Sequence, residues 1–142
     1  MNTQIQKTIL AGIIGTAIMT VVMTIASMVG MPKMSPPAML AGMLGTSIVV
    51  GWVMHFVIGI LFAFGYQYLN VLRQKVSNVW VRGAIFGVIA FLFAQIMMGI
   101  IGAMLPMPKM QGSMVLTMVE SLLGHIVFGI AVVKTMENRN EK

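Results

Sequence analysis

Apolar residues run along this chain in four long stretches, at about 8–30, 46–69, 83–105 and 113–134. Each is roughly 20 residues, the length a helix needs to cross a hydrocarbon core of about 30 Å. A backbone in lipid must pair its own polar groups, so all four are predicted to be membrane-spanning helices. Gly and Pro mark the breaks. Pro32, Pro36, Pro37 and Gly45 separate the first two stretches, and Pro106, Pro108 and Gly112 separate the last two. Ser35-Pro36-Pro37, followed by residues 38–44 and Gly45, predicts a short interfacial helix. Ser35 would be its N-cap, Pro36 would sit in the first turn and Gly45 would end it.

The second half of the pattern repeats the first. Met28-Val-Gly-Met-Pro-Lys-Met34 returns as Met104-Leu-Pro-Met-Pro-Lys-Met110, and each copy precedes one of the chain's two histidines. The histidines lie in matching frames, His55-Phe-Val-Ile-Gly59-Ile60 and His125-Ile-Val-Phe-Gly129-Ile130. From Met34 to His55 is 21 positions and from Met110 to His125 is 15, so the second interval is six shorter and lacks the short helix. The order predicts one membrane domain over 1–142, with repeats at about 8–69 and 83–134. With two spans per repeat, both copies enter the membrane in the same direction, a parallel repeat about an axis along the membrane normal. The fold expected is an all-α integral membrane four-helix bundle, made by tandem duplication of a two-helix hairpin.

Composition agrees with the pattern. Of 142 residues 58% are hydrophobic and only 8% charged, against the quarter or so that covers a soluble domain. Mean hydropathy is +0.96. Cysteine is absent, so neither disulfides nor thiolate metal sites are available. The net charge of +6 does not predict nucleic-acid binding, because the basic residues are scattered between apolar spans. They act as topology signals and headgroup contacts. Lys7, Arg73, Lys75, Arg82, Lys134, Arg139 and Lys142 share one side, and Lys33 and Lys109 the other. The positive-inside rule then predicts a multi-pass protein of the inner membrane with both termini cytoplasmic and both MPKM turns outside. A cleaved signal peptide is set aside for the first span, because its removal would destroy half of the repeat.

Small and weakly polar residues predict close helix packing. Gly12, Thr16, Thr20, Thr24 and Ser27 form a stripe in the first span, with Gly83, Gly87, Gly99 and Gly102 in the third. The ionisable residues carry more information, since charged groups at mid-membrane cost several kcal/mol and usually face the bundle interior. His55 and His125 fall near mid-depth, with Glu120 and Gln95 as polar companions. Glu120 and His125 are five apart, about 140° around a helix, so no direct pairing is expected.

Three readings fit the histidine pair. The first is packing, with each imidazole hydrogen-bonded to a neighbouring helix. The second is a Cu(I)-handling or small-solute transport protein that uses the methionine clusters and the histidine pair. There are 17 methionines, and Met114, Met118, Ser121 and His125 share one helix face. Met28, Met31 and Met34, with Met104, Met107 and Met110, cluster at the two turns. Thioethers and imidazole suit Cu(I). Methionine is equally a flexible apolar filler, and Lys33 and Lys109 stand inside the turn clusters with no acidic residue to offset them. The third is a b-type haem held by both histidines, serving electron transfer.

Enzyme chemistry finds no footing. The chain has no Asp, no nucleophile elbow, no phosphate-binding glycine loop and no H-E-x-x-H motif. Glu137 and Glu141 fall in a mixed-charge tail and are expected to be solvated. Trp52, Tyr66, Tyr68 and Trp80 lie near span ends as interfacial anchors. The A-G-x-x-G-T-A-x-M-T opening (Ala11 to Thr20), the MPKM turn, G-W-x-M-H-F-x-I-G (Gly51 to Gly59) and G-H-x-V-x-G (Gly124 to Gly129) resemble a family of small prokaryotic four-helix membrane proteins of unknown function. The resemblance implies a polytopic membrane protein and assigns no catalytic residue. The function expected is a structural, accessory or small binding protein of the inner membrane. Its partners would be the lipid bilayer and a second copy or a larger membrane complex.

Overall fold

The computed structural model describes residues 3–33, 35–105 and 112–137. These form α1 (Thr3–Met28), α2 (Pro36–Leu44), α3 (Ile48–Tyr68), α4 (Asn70–Lys75), α5 (Val79–Met104) and α6 (Met114–Glu137), with no strand among them. Helices α1, α3, α5 and α6 are long and apolar enough to cross a membrane, which marks the chain as a helical membrane protein. Met34, Met107 and Met110 of the turn clusters lie outside the described residues.

Local chemistry sets the element ends. The Ser35 hydroxyl accepts the Ala38 N–H at 3.4 Å and opens α2. At its other end Gly45 adopts φ 60°, a left-handed conformation that costs glycine nothing, and the Thr46 N–H returns to the Ala41 carbonyl at 2.9 Å. Asn78 caps α5 by accepting from the N–H groups of Trp80 (2.9 Å) and Val81 (3.3 Å). The helix therefore starts four residues before the apolar run suggests, and Arg82 is drawn out of the loop into its first turn.

Close packing joins α1 to α3 and α6, α6 to α5, and α2 to α3. The buried stripe of α1 is Thr8, Ala11, Gly12, Gly15, Thr16, Met19 and Met23, a helical succession of mostly small groups. The polar stripe expected further along does not pack helices: Thr24 and Ser27 turn their hydroxyls to their own helix, donating to the carbonyls of Thr20 (2.8 Å) and Thr24 (2.7 Å). Two crossings between spanning helices bring backbones together. A Cβ built on Gly12 would lie 2.5 Å from Cα and 2.9 Å from N of Ile60, and one on Gly83 would lie 2.5 Å and 3.0 Å from the same atoms of Ile130. Gly99 has nothing within 4 Å of such a Cβ, so it makes no helix contact of this kind.

These crossings lie toward the end of the bundle that holds the start of α1 and the end of α6. That end is closed by polar contacts. Glu137 accepts from the Tyr66 hydroxyl at 2.9 Å and from Arg82, with Arg73 at 3.8 Å. Arg82 also donates to the carbonyls of Val76 (2.9 Å) and Ser77 (3.1 Å), and Gln67 donates to Thr8. The Lys134 ammonium lies 3.8 Å from the centroid of the Trp80 ring, close enough for a cation–π contact. Two sequence expectations change here. Glu137 is not a solvated tail residue but the hub of this cluster, and Tyr66 is fully buried instead of lying free at the interface.

Candidate intramembrane binding site

At the opposite, turn-bearing end the helices separate. The first half of α5 buries Arg82, Gly83, Phe86, Gly87 and Ala90, whereas none of its residues beyond Ala90 is buried. Glycine lets backbones touch in the first half, and the larger residues that follow hold the helices apart. The space left is a cavity of about 360 Å³ lined from α1, α2, α3, α5 and α6. Phe62 and Phe128 lie at its deep end, their centroids 6.3 Å apart, and ring contacts continue through Phe86 to Tyr66. This aromatic floor separates the cavity from the Glu137 cluster. Met114 and Met118, also on the wall, are 63% and 42% exposed, so the wall is incomplete at the turn-side half of α6.

His55 and His125 both line this cavity, with Gln95 beside them. Their hydrogen bonds differ. The Thr20 hydroxyl donates to the Thr16 carbonyl at 2.8 Å and stands 3.2 Å from His55 Nε2. With its one proton committed, the hydroxyl accepts, so Nε2 carries the His55 proton and Nδ1 keeps a lone pair. His125 Nδ1 lies 2.8 Å from the Ser121 carbonyl, which can only accept. His125 is therefore protonated on Nδ1 and bare at Nε2. Each neutral ring is oriented by its own N–H and keeps one unprotonated nitrogen, the arrangement that fixes imidazoles as ligands.

Of the methionines singled out from sequence, Met114 and Met118 line the cavity. Met28 and Met104 are 78% and 80% exposed at the helix ends and do not. Met31, in the turn after α1, is likewise not on the wall. Sequence reasoning missed Met19, Met39 and Met98, which bring three further thioethers to the wall. For Met98 a signal existed: Ala94, Gln95, Met98 and Gly99 have the one-face spacing of a helix. Met39 depends on α2 folding back over α3, and no local pattern announces that.

Glu120 is 2% exposed, and neither carboxyl oxygen has a hydrogen-bond partner among the described residues. It is flanked on α6 by Thr117 and Ser121, both on the cavity wall, without lining the cavity itself. Gly124, one turn on, faces Met23 and Met19, so Glu120 lies on the side of α6 that meets α1. No bond joins it to His125, as its spacing requires. Thr16 Oγ1 is also buried without a partner, on the cavity wall.

A family model matches residues 2–142, described as a family of unknown function (DUF6789). The chain belongs to that family. No curated protein and no solved structure matches it. The DUF6789 match spans both halves of the chain, and hence every residue of the cavity and of the polar end cluster. Among the described residues no three of His, Cys, Asp and Glu converge. The cavity's donors are therefore imidazole nitrogen, thioether sulfur, amide and hydroxyl, all neutral.

Proposed function

We propose that this is a small binding protein of the inner membrane whose ligand enters the cavity at the turn end. The observation that carries the reading is the pair of oriented imidazoles sharing one cavity, each with a free nitrogen lone pair. The anchored nitrogen of each ring already serves packing, and the second is left for a ligand. The positive-inside excess, with Lys7, Arg73, Lys75, Arg82 and Lys134 at the closed end, supports a cytoplasmic position for that end. The cavity then faces the periplasm or cell exterior, and the aromatic floor makes it a dead end in this conformation. Lipid covers the outer apolar faces, or a second copy does in part.

Tandem duplication is part of the reading. The Gly12–Ile60 and Gly83–Ile130 approaches agree within about 0.1 Å, at offsets of 71 and 70 positions. The same offset takes Thr20, the partner of His55, to Phe91, whose ring meets His125 edge-on at 5.8 Å. Losing the hydroxyl there sends His125 to its own helix carbonyl. Divergence at one position thus supplies the two different tautomers.

The cysteine-free background makes single thiols clean reporters. With Met118→Cys at the mouth and Ser121→Cys beside His125, a membrane-impermeant methanethiosulfonate added outside intact cells is expected to label both. Leu123→Cys, 53% exposed on the outer side of the same helix, is expected to stay unlabelled in lipid. A Ser121→Cys thiol that never reacts from outside would sink the reading.

A further inference from the structure

We infer that the ligand of this cavity is a soft monovalent cation, Cu(I), held by His55 and His125 with thioethers from the cavity wall. The inference rests on the cavity being a binding site, as proposed above, and names what it takes. Three independent features lead there. The first is donor chemistry. The wall supplies two imidazoles and the thioethers of Met19, Met39, Met98, Met114 and Met118, with no thiol and no carboxylate. Hard cations need oxygen anions, and Zn(II) sites draw three or four ligands from Cys, His, Asp and Glu, a convergence absent among the described residues. Thioether with imidazole is the set that suits Cu(I).

The second feature is protonation. A thioether binds without losing a proton, and both imidazoles already present an unprotonated nitrogen while the other nitrogen is anchored to protein. Neither kind of donor therefore has to lose a proton to bind. The third is charge. A monovalent cation among neutral ligands would bring an uncompensated charge into the membrane, which is costly. Glu120, buried with both oxygens unpartnered and flanked on α6 by two cavity-wall residues, can release its proton as the cation enters and so offset its charge without entering the ligand shell. One carboxylate against one monovalent ion makes the loaded region neutral, whereas a divalent ion leaves a net charge. The thioethers on α2 and near the mouth, Met39, Met114 and Met118, lie on the entry side and provide a path of soft donors toward the histidines. These are not the MPKM methionines, whose Lys33 and Lys109 oppose a cation.

The test uses the purified full chain in lipid nanodiscs, anaerobic and reduced, with Cu(I) in competition against bathocuproine disulfonate. One Cu(I) per chain is expected, displaced by Ag(I) and not by Zn(II). His55→Leu with His125→Leu should weaken retention by more than about a hundredfold, and Glu120→Gln by about tenfold. X-ray absorption should show nitrogen and sulfur neighbours. Met98→Leu with Met118→Leu, near in volume and so tolerated by the packing, should reduce the sulfur signal and keep the nitrogen. Wild-type protein that yields all its Cu(I) to the chelator, or that prefers Zn(II), overturns the inference. If Ser121→Cys nonetheless reacts from outside, the binding cavity stands and only the choice of ion fails.

Discussion

Gly12→Ala and Gly83→Ala should each destabilise the bundle by about 2–3 kcal/mol, the cost of forcing atoms into a filled contact. The opposite sign would follow from helix propensity alone, since Ala in a helix interior is favoured over Gly by roughly 1 kcal/mol. The added methyl group at Gly12 would sit 2.5 Å from Cα of Ile60 and 3.0 Å from the Gly59 carbonyl oxygen. Those are backbone atoms, so no rotamer change relieves the clash, and α1 must move away from α3. At Gly83 the partners are Cα of Ile130 and, at 3.1 Å, the Gly129 carbonyl. Gly65→Ala is the control, because nothing lies within 4 Å of its Cβ, and it should leave stability unchanged or slightly raised. Unfolding midpoints in mixed micelles check all three. A tolerated Gly12→Ala beside a damaging Gly83→Ala would also remove the main geometric support for equivalent hairpins.

Much of the architecture was legible because lipid leaves few options. Four apolar runs of spanning length have to be helices, and Ser35, Pro36 and Gly45 are residues whose local chemistry bounds a short helix wherever it packs. The histidine pair was legible as a site because ionisable groups are rare in such runs. What escaped was whatever depends on how one helix meets another. Thr24 and Ser27 have the spacing of a packing face, yet the helices have parted by that depth and the hydroxyls bond their own backbone. Glu137 sits among polar tail residues, and only the return of α6 to the end of α3 and the start of α5 makes it a hub. The repeat suggested that both histidines act alike. A threonine in one hairpin and a phenylalanine in the other give them different partners and different free nitrogens.

At the closed end, Arg82→Gln should destabilise the protein more than Glu137→Gln, by about 3 against about 2 kcal/mol, at and just below the lower end of the range for breaking a buried pair. Glu137→Gln keeps an oxygen for the Tyr66 hydroxyl and leaves Arg82 its bonds to the carbonyls of Val76 and Ser77. What it removes is the negative charge facing Arg82, whose side chain is only 10% exposed. Arg82→Gln removes that charge pair and both loop contacts, so the connection between α4 and α5 loosens as well. Added salt should not erase the difference, because the Arg82 pair is shielded from solvent, while the 3.8 Å Arg73 contact is more open and screens readily. The readout can be made local. The chain's two tryptophans mark opposite ends, Trp52 beside His55 and Trp80 against Lys134. In a Trp52→Phe background, Trp80 emission should shift on Arg82→Gln, and thiol labelling of Met118→Cys should stay the same. Labelling that changes together with Trp80 would mean that the aromatic floor couples the two ends and does not isolate them. Equal midpoints for Glu137→Gln and the parent would remove Glu137 from its place as hub.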